Sequence, residues 1–235
     1  NLSMASKQTT RYLLYYKEGE RSLKLLTFSG KIGLNEIFAT SARAFLISPI
    51  AKELSLKTLK SVIIRSGRKI KIFLDIQGLI RHFSKNGRVF LKVSSQLMDS
   101  VKGAHLIKMS ETEQRTWFSS FSPLEAVMEI AESTGATVIV TLGSKGCLIG
   151  FDGGVFHIPT KEISTLDSTG AGDVFAGAYA YHVLKVSEDP LSAACFSSAY
   201  TSAFLMYRDF RLVAQKLVEI NKLAKQLQEG VKKLQ

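Results

Sequence analysis

Short apolar runs that alternate with helical segments constrain the fold of this chain more than any other feature. Runs of this length, separated by helix-length segments, are typical of buried strands in a parallel sheet. The runs are Ala44–Ser48, Ile70–Leu74, His105–Lys108 and Thr137–Thr141. The pattern predicts an α/β fold with a mostly parallel sheet between layers of helices.

Three residues come directly after strands of this predicted sheet, namely Asp75, Ser110 and Gly143. Sites in open α/β sheets lie beyond the carboxyl ends of the strands. We therefore expect these sequence-distant segments to meet at one crevice.

The two ends of the chain follow other patterns. Tyr12–Tyr16 and Leu23–Thr27 are predicted to form a hairpin at a sheet edge or lid. After residue 168 the chain is predicted to be helical, near Thr169–Val186, Pro190–Tyr207 and Arg211–Leu234. Apolar residues recur at three- and four-residue steps in the last segment, which favours packing on the chain's own sheet over a coiled-coil seam.

The segment Asp167–Gly177, DSTGAGDVFAG, combines a glycine loop, a helix start and a carboxylate. Ser168 or Thr169 is expected to cap the helix, and Gly170 and Gly172 allow a sharp turn. Unpaired N–H groups at the positive end of a helix dipole attract phosphate.

Asp173 falls in the first turn of this predicted helix. Its carboxylate is placed to accept the proton of a substrate hydroxyl beside a bound phosphate. The loop therefore has the layout of a phosphoryl-transfer site.

Other interpretations of the loop fit less well. A dinucleotide-binding fingerprint needs a third glycine where this chain has Phe175, and a P-loop needs a Gly-Lys-Ser/Thr run that is absent. A tight strand-to-helix turn without function is the remaining alternative.

Asp167–Gly177 resembles the C-terminal signature of the ribokinase-like, or PfkB-type, carbohydrate and nucleoside kinases. The segment Val138–Ile149, VIVTLGSKGCLI, resembles the strand-turn-strand that lines the ATP pocket in that family. Weaker similarities occur at Leu46–Glu53, Phe73–Arg81 and Lys108–Glu113. The resemblance implies a three-layer α/β/α Rossmann-like core, formed by residues 31–235, with residues 1–30 as a small β lid or edge-strand remnant.

The resemblance also implies the roles of individual residues. Asp173 would be the general base, and the N–H groups of Gly170, Ala171 and Gly172 would hold the transferring phosphoryl charge. Asp75 and Lys108 would contact the substrate. ATP would be bound by a larger set: Thr141, Gly143, Lys145, Gly146 and Ser198. Lys145 can either touch a phosphate or point to solvent.

The metal site implied by the resemblance departs from the family pattern. Glu113 is present, but Ser110 stands where the family's Asn-x-x-Glu motif has Asn. The two residues would orient waters on Mg²⁺, with the Ser hydroxyl doing so less firmly. Asp167 corresponds to a residue beside a monovalent-cation site in some members, so activation by K⁺ is a further expectation.

A second departure is at the start of the chain. Family members usually open with a strand, a Gly-Gly substrate-binding segment and a lid of strands before anything like Thr10–Tyr16. Three alternatives stay open: the chain is a fragment, the given sequence omits a segment, or the protein has lost much of its substrate pocket.

The chain has 235 residues and a formal net charge of +11, which raises the question of nucleic-acid binding. Its densest basic clusters, Arg65–Lys71 and Lys232–Lys233, are short and lack interleaved aromatic residues. We expect no specific nucleic acid as a partner. Attraction of anionic nucleotides and phosphorylated products accounts for the same charge.

Cys147 and Cys195 lie in apolar segments without metal-ligand spacing, as buried thiols of a reducing cytoplasm do. No run of about eighteen apolar residues predicts a membrane span. The cysteines indicate a cytoplasmic protein, and the resemblance implies an ATP- and Mg²⁺-dependent kinase of a small sugar, inositol-like polyol or nucleoside. A homodimer is left open, and the alternative function is an inactive nucleotide-binding regulator of the same fold.

Overall fold

A seven-stranded sheet forms the centre of the computed structural model, which describes residues 8–17, 20–39, 41–164 and 167–235. The strands, numbered along the chain, are β1 Arg11–Lys17, β2 Glu20–Thr27, β3 Ala44–Ile47, β4 Lys71–Asp75, β5 Arg81–Phe83, β6 Val89–Leu91, β7 Leu106–Ser110, β8 Thr137–Thr141, β9 Cys147–Phe151, β10 Gly154–Ile158 and β11 Lys232–Lys233. The central sheet has the order β11-β10-β9-β8-β7-β4-β3.

The strand directions in this sheet agree with the predicted topology. β3, β4, β7 and β8 pair in parallel, β9 is antiparallel to β8, and β10 returns antiparallel to β9. All strands of the sheet except β9 and β11 therefore run in one direction, which confirms the mostly parallel α/β fold.

Helices connect the strands and cover the sheet. They are α1 Leu34–Ile37, α2 Leu56–Ser66, α3 Gln77–Ile80, α4 Leu97–Val101, α5 Glu111–Trp117, α6 Pro123–Thr134, α7 Ala171–Lys185, α8 Pro190–Tyr207, α9 Phe210–Gln215 and α10 Leu217–Glu229. None of the helices in the described part of the chain combines the length and apolarity that a membrane crossing requires.

Alternate residues of each strand face two separate apolar cores. In β4, Ile72 and Leu74 pack with α2, α4 and α6, while Phe73 packs with α7, α8 and α10 on the opposite face. This division follows from the two-residue period of side chains along a strand. It produces the three-layer α/β/α arrangement expected from the sequence.

The two cysteines lie in the core on the α7 and α8 face, both as free thiols. Burial raises the pKa of the Cys195 thiol to about 12, and it raises the pKa of Cys147 further still. Buried thiols of this kind are chemically inert.

The C-terminal segment differs from its prediction as a single helix over 211–234. It forms α9 and α10, and the chain then pairs Lys232 and Lys233 with β10. Gly230 follows α10 directly, and glycine is common at the end of a helix. Val213, Ile220 and Leu227 are buried in the core on the α7 and α8 face, where α10 lies against α8, so this apolar stripe packs within the chain's own fold.

Two small hairpins lie outside the central sheet. The first is the predicted pair β1 and β2, and the second, which sequence reasoning missed, is formed by β5 and β6. They meet where the N–H of Leu25 donates to the carbonyl of Gly87 at 2.8 Å. The division into a lid of residues 1–30 and a domain of residues 31–235 stays a prediction.

Residues 48–55, which follow β3, form a loop that we call the 48–55 loop. Glu53 is buried, and its Oε2 accepts the N–H groups of Ile50 at 3.0 Å and Ala51 at 2.7 Å. The Tyr12 hydroxyl donates to the Ile50 carbonyl at 2.6 Å. The loop therefore links the first hairpin to the edge of the central sheet.

Gly78 in α3 lies directly beneath the 48–55 loop. A Cβ at this position would stand 2.2 Å from the Pro49 carbonyl oxygen and 2.6 Å from the Ile50 nitrogen. These are backbone atoms, so they have little freedom to move aside.

We expect Gly78→Ala to lower the free energy of unfolding by about 1–3 kcal/mol, because it overpacks this contact. Gly177→Ala in α7 is the control, since its Cβ would meet no atom within 4 Å. Chemical denaturation of both variants measures the difference. Equal stability of the two variants would contradict the close contact.

Candidate active site

A cavity of about 1190 Å³ lies at the carboxyl ends of the parallel strands. Asp75, Ser110 and Gly143 all line it, so the segments that were expected to converge do so. The start of α7 forms another wall, and the two small hairpins contribute Tyr12 and Arg88 among others.

The start of α7 has a different cap from the one expected. Gly170 is the N-cap residue, in the left-handed region with φ 85°, and no side chain caps the helix. Ser168 and Thr169 therefore do not have the predicted capping role. Gly172 is the second residue of the helix and is not among the glycines with positive φ.

Unpaired N–H groups remain at this helix start. The Ala171 N–H donates to the Ser168 carbonyl at 3.1 Å, so one of the three expected donors is already used. Within the described residues, the N–H groups of Gly170 and Gly172 have no acceptor. Both glycines line the cavity, at the positive end of a helix of fifteen residues. The N–H of Asp173, the next residue of the helix, likewise has no acceptor among the described residues.

Asp173 lies in the first turn of α7 and its side chain lines the cavity. The Ser48 hydroxyl donates to its Oδ1 at 3.0 Å. The sequence analysis assigned no role to Ser48, although Ser48 lies at the carboxyl end of β3 as Ser110 does at the carboxyl end of β7. The contact fixes one carboxylate oxygen of Asp173 and leaves Oδ2 without a partner among the described residues.

Asp75 and Lys108 form a buried ion pair across β4 and β7. The Lys108 Nζ lies 2.6 Å from the Asp75 Oδ2, and both side chains are about 4% exposed. The Asp75 Oδ1 accepts the N–H of Gln77 at 3.0 Å. Both residues line the cavity, near the start of α7.

The residues predicted to bind ATP fall into two groups. Thr141, Gly143, Gly146 and Ser198 line the cavity, whereas Lys145 is exposed and lies outside its lining. Gly146 has φ 87°, and a Cβ there would lie 2.1 Å from the Ile158 carbonyl oxygen. The tight turn after β8 therefore requires glycine at this position.

Ser110 and Glu113 are joined by a capping box at the start of α5. The Glu113 Oε2 accepts the Ser110 N–H at 2.7 Å, and the Glu113 N–H donates to the Ser110 Oγ at 3.3 Å. The second carboxylate oxygen of Glu113 has no partner in the part of the chain that the structure describes. One free carboxylate oxygen fits Mg²⁺, which usually takes one or two carboxylates together with waters and phosphates.

Among the described residues no cluster of three acidic, His or Cys side chains could hold a metal by itself. Asp167 does not line the cavity. Its Oδ1 accepts the N–H of Thr169 at 2.8 Å, and its Oδ2 pairs with Arg208 at 3.1 Å. The role of Asp167 beside a monovalent cation stays a prediction.

Arg81 and Tyr12 form a wall of the cavity that sequence reasoning did not assign. The Arg81 guanidinium donates to the Gln77 side chain at 2.7 Å and to the Ile50 carbonyl at 3.2 Å. It also lies over the Tyr12 ring. Burial raises the pKa of Tyr12, and the neighbouring Arg81 opposes that shift.

Comparison with known proteins identifies the class to which this fold and site belong. Residues 41–208 match the PfkB family of carbohydrate kinases. The match covers more than half of the chain, so the chain belongs to this family and the resemblance seen in the sequence is confirmed.

Individual relatives match this chain either over a short stretch of sequence or in fold at low sequence identity. The ribokinase of Mus musculus is 39% identical over 61 residues, which are 25% of this chain and only 19% of that enzyme. The sulfate complex of a pyrophosphate-dependent kinase in the ribokinase family has a TM-score of 0.75 at 20% identity, over 86% of this chain and 71% of the other.

A pyrophosphate-dependent kinase of the ribokinase family, complexed with a pyrophosphate analogue and myo-inositol, has a TM-score of 0.69 at 20% identity. That likeness covers 79% of this chain and 66% of the other. At these identities the two structures support the fold alone.

Proposed function

We propose that this chain is a kinase that transfers the γ-phosphoryl group of ATP to a hydroxyl of a small sugar, an inositol-like polyol or a nucleoside. The observation that carries the proposal is the position of Asp173, whose carboxylate stands in the first turn of α7 beside the unpaired N–H groups of Gly170 and Gly172. Membership of a carbohydrate-kinase family supports the same reaction class.

In this proposal Asp173 is the general base. Ser48 holds Oδ1, so Oδ2 is directed to the acceptor hydroxyl and takes its proton as the new P–O bond forms. Phosphoryl transfer depends mainly on positioning and charge stabilisation. The N–H groups of Gly170 and Gly172 provide preorganised donors for the transferring phosphoryl group.

The acceptor is proposed to bind between Asp75 and the two small hairpins. The cavity wall there offers a carboxylate, the Gln77 amide and the Arg81 guanidinium, which together suit the hydroxyl groups of a polyol. The myo-inositol complex of a structurally similar kinase supports an inositol-like polyol as one acceptor to test.

The donor is proposed to bind between the start of α7 and the turn after β8. Gly143, Gly146 and Ser198 line this part of the cavity, and small residues leave room for a nucleotide. Mg²⁺ would be held through waters by Glu113 and Ser110, and it would neutralise phosphate charge. K⁺ activation, a cytoplasmic location and a homodimer are retained as predictions.

A coupled assay for ADP across a panel of sugars, polyols and nucleosides tests the function. A parallel assay for phosphate release from pyrophosphate tests the other donor, which the structurally similar kinases use. Turnover with any acceptor supports the kinase. Nucleotide binding without turnover across the panel would favour the inactive regulator instead.

The first test of the site is Asp173→Asn. We expect kcat to fall by about 10²-fold or more, because the base is lost, while the Kd for ATP stays nearly unchanged. Steady-state kinetics and a nucleotide titration measure the two quantities. Unaltered kcat would remove Asp173 from the mechanism.

Substitution of Ser48 tests the role of the Asp173 carboxylate in a second way. Ser48→Ala removes a hydrogen bond worth about 1 kcal/mol, so we expect kcat to fall by up to about tenfold with little change in the acceptor KM. Ser48→Thr keeps a hydroxyl and should restore most of the rate. If Ser48→Ala and Ser48→Thr have the same kcat, the hydrogen bond does not position the base.

The metal assignment can be tested against a second capping box that has the same pattern of hydrogen bonds. Glu113→Ala should raise the Mg²⁺ concentration needed for half-maximal activity and slow the reaction. The control is Glu125→Ala, because Ser122 and Glu125 make the same two contacts at 2.7 and 3.3 Å at the start of α6, outside the cavity lining. Each variant keeps its N-cap serine and loses one charged hydrogen bond of the capping box, worth about 1–3 kcal/mol.

Ser110→Asn should act in the opposite direction and lower the Mg²⁺ requirement, since Asn offers a longer side chain and two polar groups. Titration of Mg²⁺ at fixed donor concentration compares all these variants. If Glu113→Ala and Glu125→Ala titrate alike, the capping box at Ser110 has no role in metal binding.

A further inference from the structure

Lys108 has more hydrogen-bonding capacity than its ion pair uses. An ammonium group has three N–H donors, and only the one to Asp75, at 2.6 Å, has an acceptor among the described residues. The side chain is nevertheless buried in the wall of the cavity. Buried donors are nearly always satisfied, so the others are available to a group that enters the cavity.

The position of the ammonium indicates which ligand group that is. A Cβ built on Gly172 would lie 3.1 Å from the Lys108 Nζ. The Nζ is therefore immediately beside the helix start whose N–H groups of Gly170 and Gly172 are unpaired. A cation next to two unpaired amide donors at a helix start favours a multiply charged anion.

The same distance explains why residue 172 is glycine. Gly172 is helical and lacks the positive φ that would favour glycine. Alanine is more favourable than glycine within a helix by about 1 kcal/mol, so helix stability alone would select alanine here. A contact of 3.1 Å is shorter than the 3.4–4 Å of ordinary van der Waals contact. The missing side chain leaves room for the Lys108 ammonium.

We propose that Lys108 is a catalytic residue that binds the transferring phosphoryl group together with the N–H groups of Gly170 and Gly172, and that Gly172 is required to admit its ammonium. This proposal rests on the proposed kinase function. As the donor P–O bond breaks and the acceptor oxygen bonds to phosphorus, the ammonium stabilises the charge on the phosphoryl oxygens. The acceptor proton goes to Asp173, and Lys108 keeps its own protons.

The pair with Asp75 has a defined part in this arrangement. Asp75 is opposite Lys108 in the register of β4 and β7, and its other oxygen is fixed by the Gln77 N–H. Asp75 therefore holds the ammonium against the start of α7. The alternative is that Lys108 only neutralises Asp75 and does not touch the phosphoryl group.

The main test is Gly172→Ala, which displaces the ammonium by a few tenths of an ångström without removing any charge. We expect kcat to fall by about tenfold or more, because small displacements of a catalytic group are costly, while the melting temperature stays equal or rises. Gly177→Ala, in the same helix with open space around its Cβ, should preserve kcat. A Gly172→Ala variant with wild-type kcat would overturn the proposal.

A double-mutant cycle separates displacement of Lys108 from direct crowding of the phosphate. Lys108→Met should lower kcat by about 10²-fold, the effect of losing one preorganised donor. Adding Gly172→Ala to Lys108→Met should then cause little further loss. If instead the two kcat reductions multiply in the double variant, the alanine acts directly on the phosphate. That result would contradict the proposed role of Gly172.

Lys108→Met leaves Asp75 buried without its partner, so a folding defect must be separated from the rate effect. The variant that carries both Asp75→Asn and Lys108→Met removes both charges, and Asp75→Asn alone is its reference. We expect kcat at saturating acceptor to be about 10²-fold lower in the double variant than in the reference. Equal kcat values would support the neutralising role alone and overturn the proposal.

The kinase proposal and the Lys108 proposal fail in different ways. If no acceptor is phosphorylated, or if Asp173→Asn retains full kcat, the proposed function or its base fails. If wild-type enzyme turns over and Asp173→Asn abolishes activity, yet Gly172→Ala retains wild-type kcat, only the Lys108 proposal fails.

Discussion

The buried ion pair between Asp75 and Lys108 connects the sheet to the site. Taking both charges out of water costs several kcal/mol each, and an apolar pair of similar volume is often equally stable, so stability alone is a weak reason for this pair. Its position offers a better reason, because the two residues meet at the carboxyl ends of β4 and β7. Asp75 also accepts the N–H of Gln77, the first residue of α3. The next residue, Gly78, lies beneath Pro49 and Ile50, which follow Ser48 in the chain.

The sequence predicted the parts of the fold that depend on a regular period. Strand β8 was predicted with its observed bounds, Thr137–Thr141, because a short buried run between helices has few alternative structures. The convergence of Asp75, Ser110 and Gly143 followed from a topological rule, since parallel strands bring their carboxyl ends to one edge. Such rules locate a site without fixing what each side chain contacts.

Sequence analysis missed the elements that are too short to show a regular period and the contacts between residues far apart in the chain. Asn86-Gly87 is a strong hairpin signal, and both residues lie in the turn between β5 and β6, where the Gly87 N–H donates to the Ser84 carbonyl. The strands, however, are only three residues each. Gly230 marks the end of α10, yet the two-residue strand β11 exists only because the edge of β10 is nearby. The contact of Ser48 with Asp173 joins residues 125 positions apart, and no local pattern encodes such a contact.

The two glycines of the phosphate-binding loop serve different physical requirements, which a sequence motif does not distinguish. Gly170 has φ 85°, a conformation that side chains rarely adopt, and a Cβ there would meet only the Phe204 ring at 3.8 Å. Gly172 has ordinary helical geometry, and its constraint is the Lys108 ammonium beside it. The first glycine therefore shapes the chain and the second leaves space for a cation. Because the Ala171 N–H at this helix start is already used, the proposed role of that cation is to add a donor to the amides that remain.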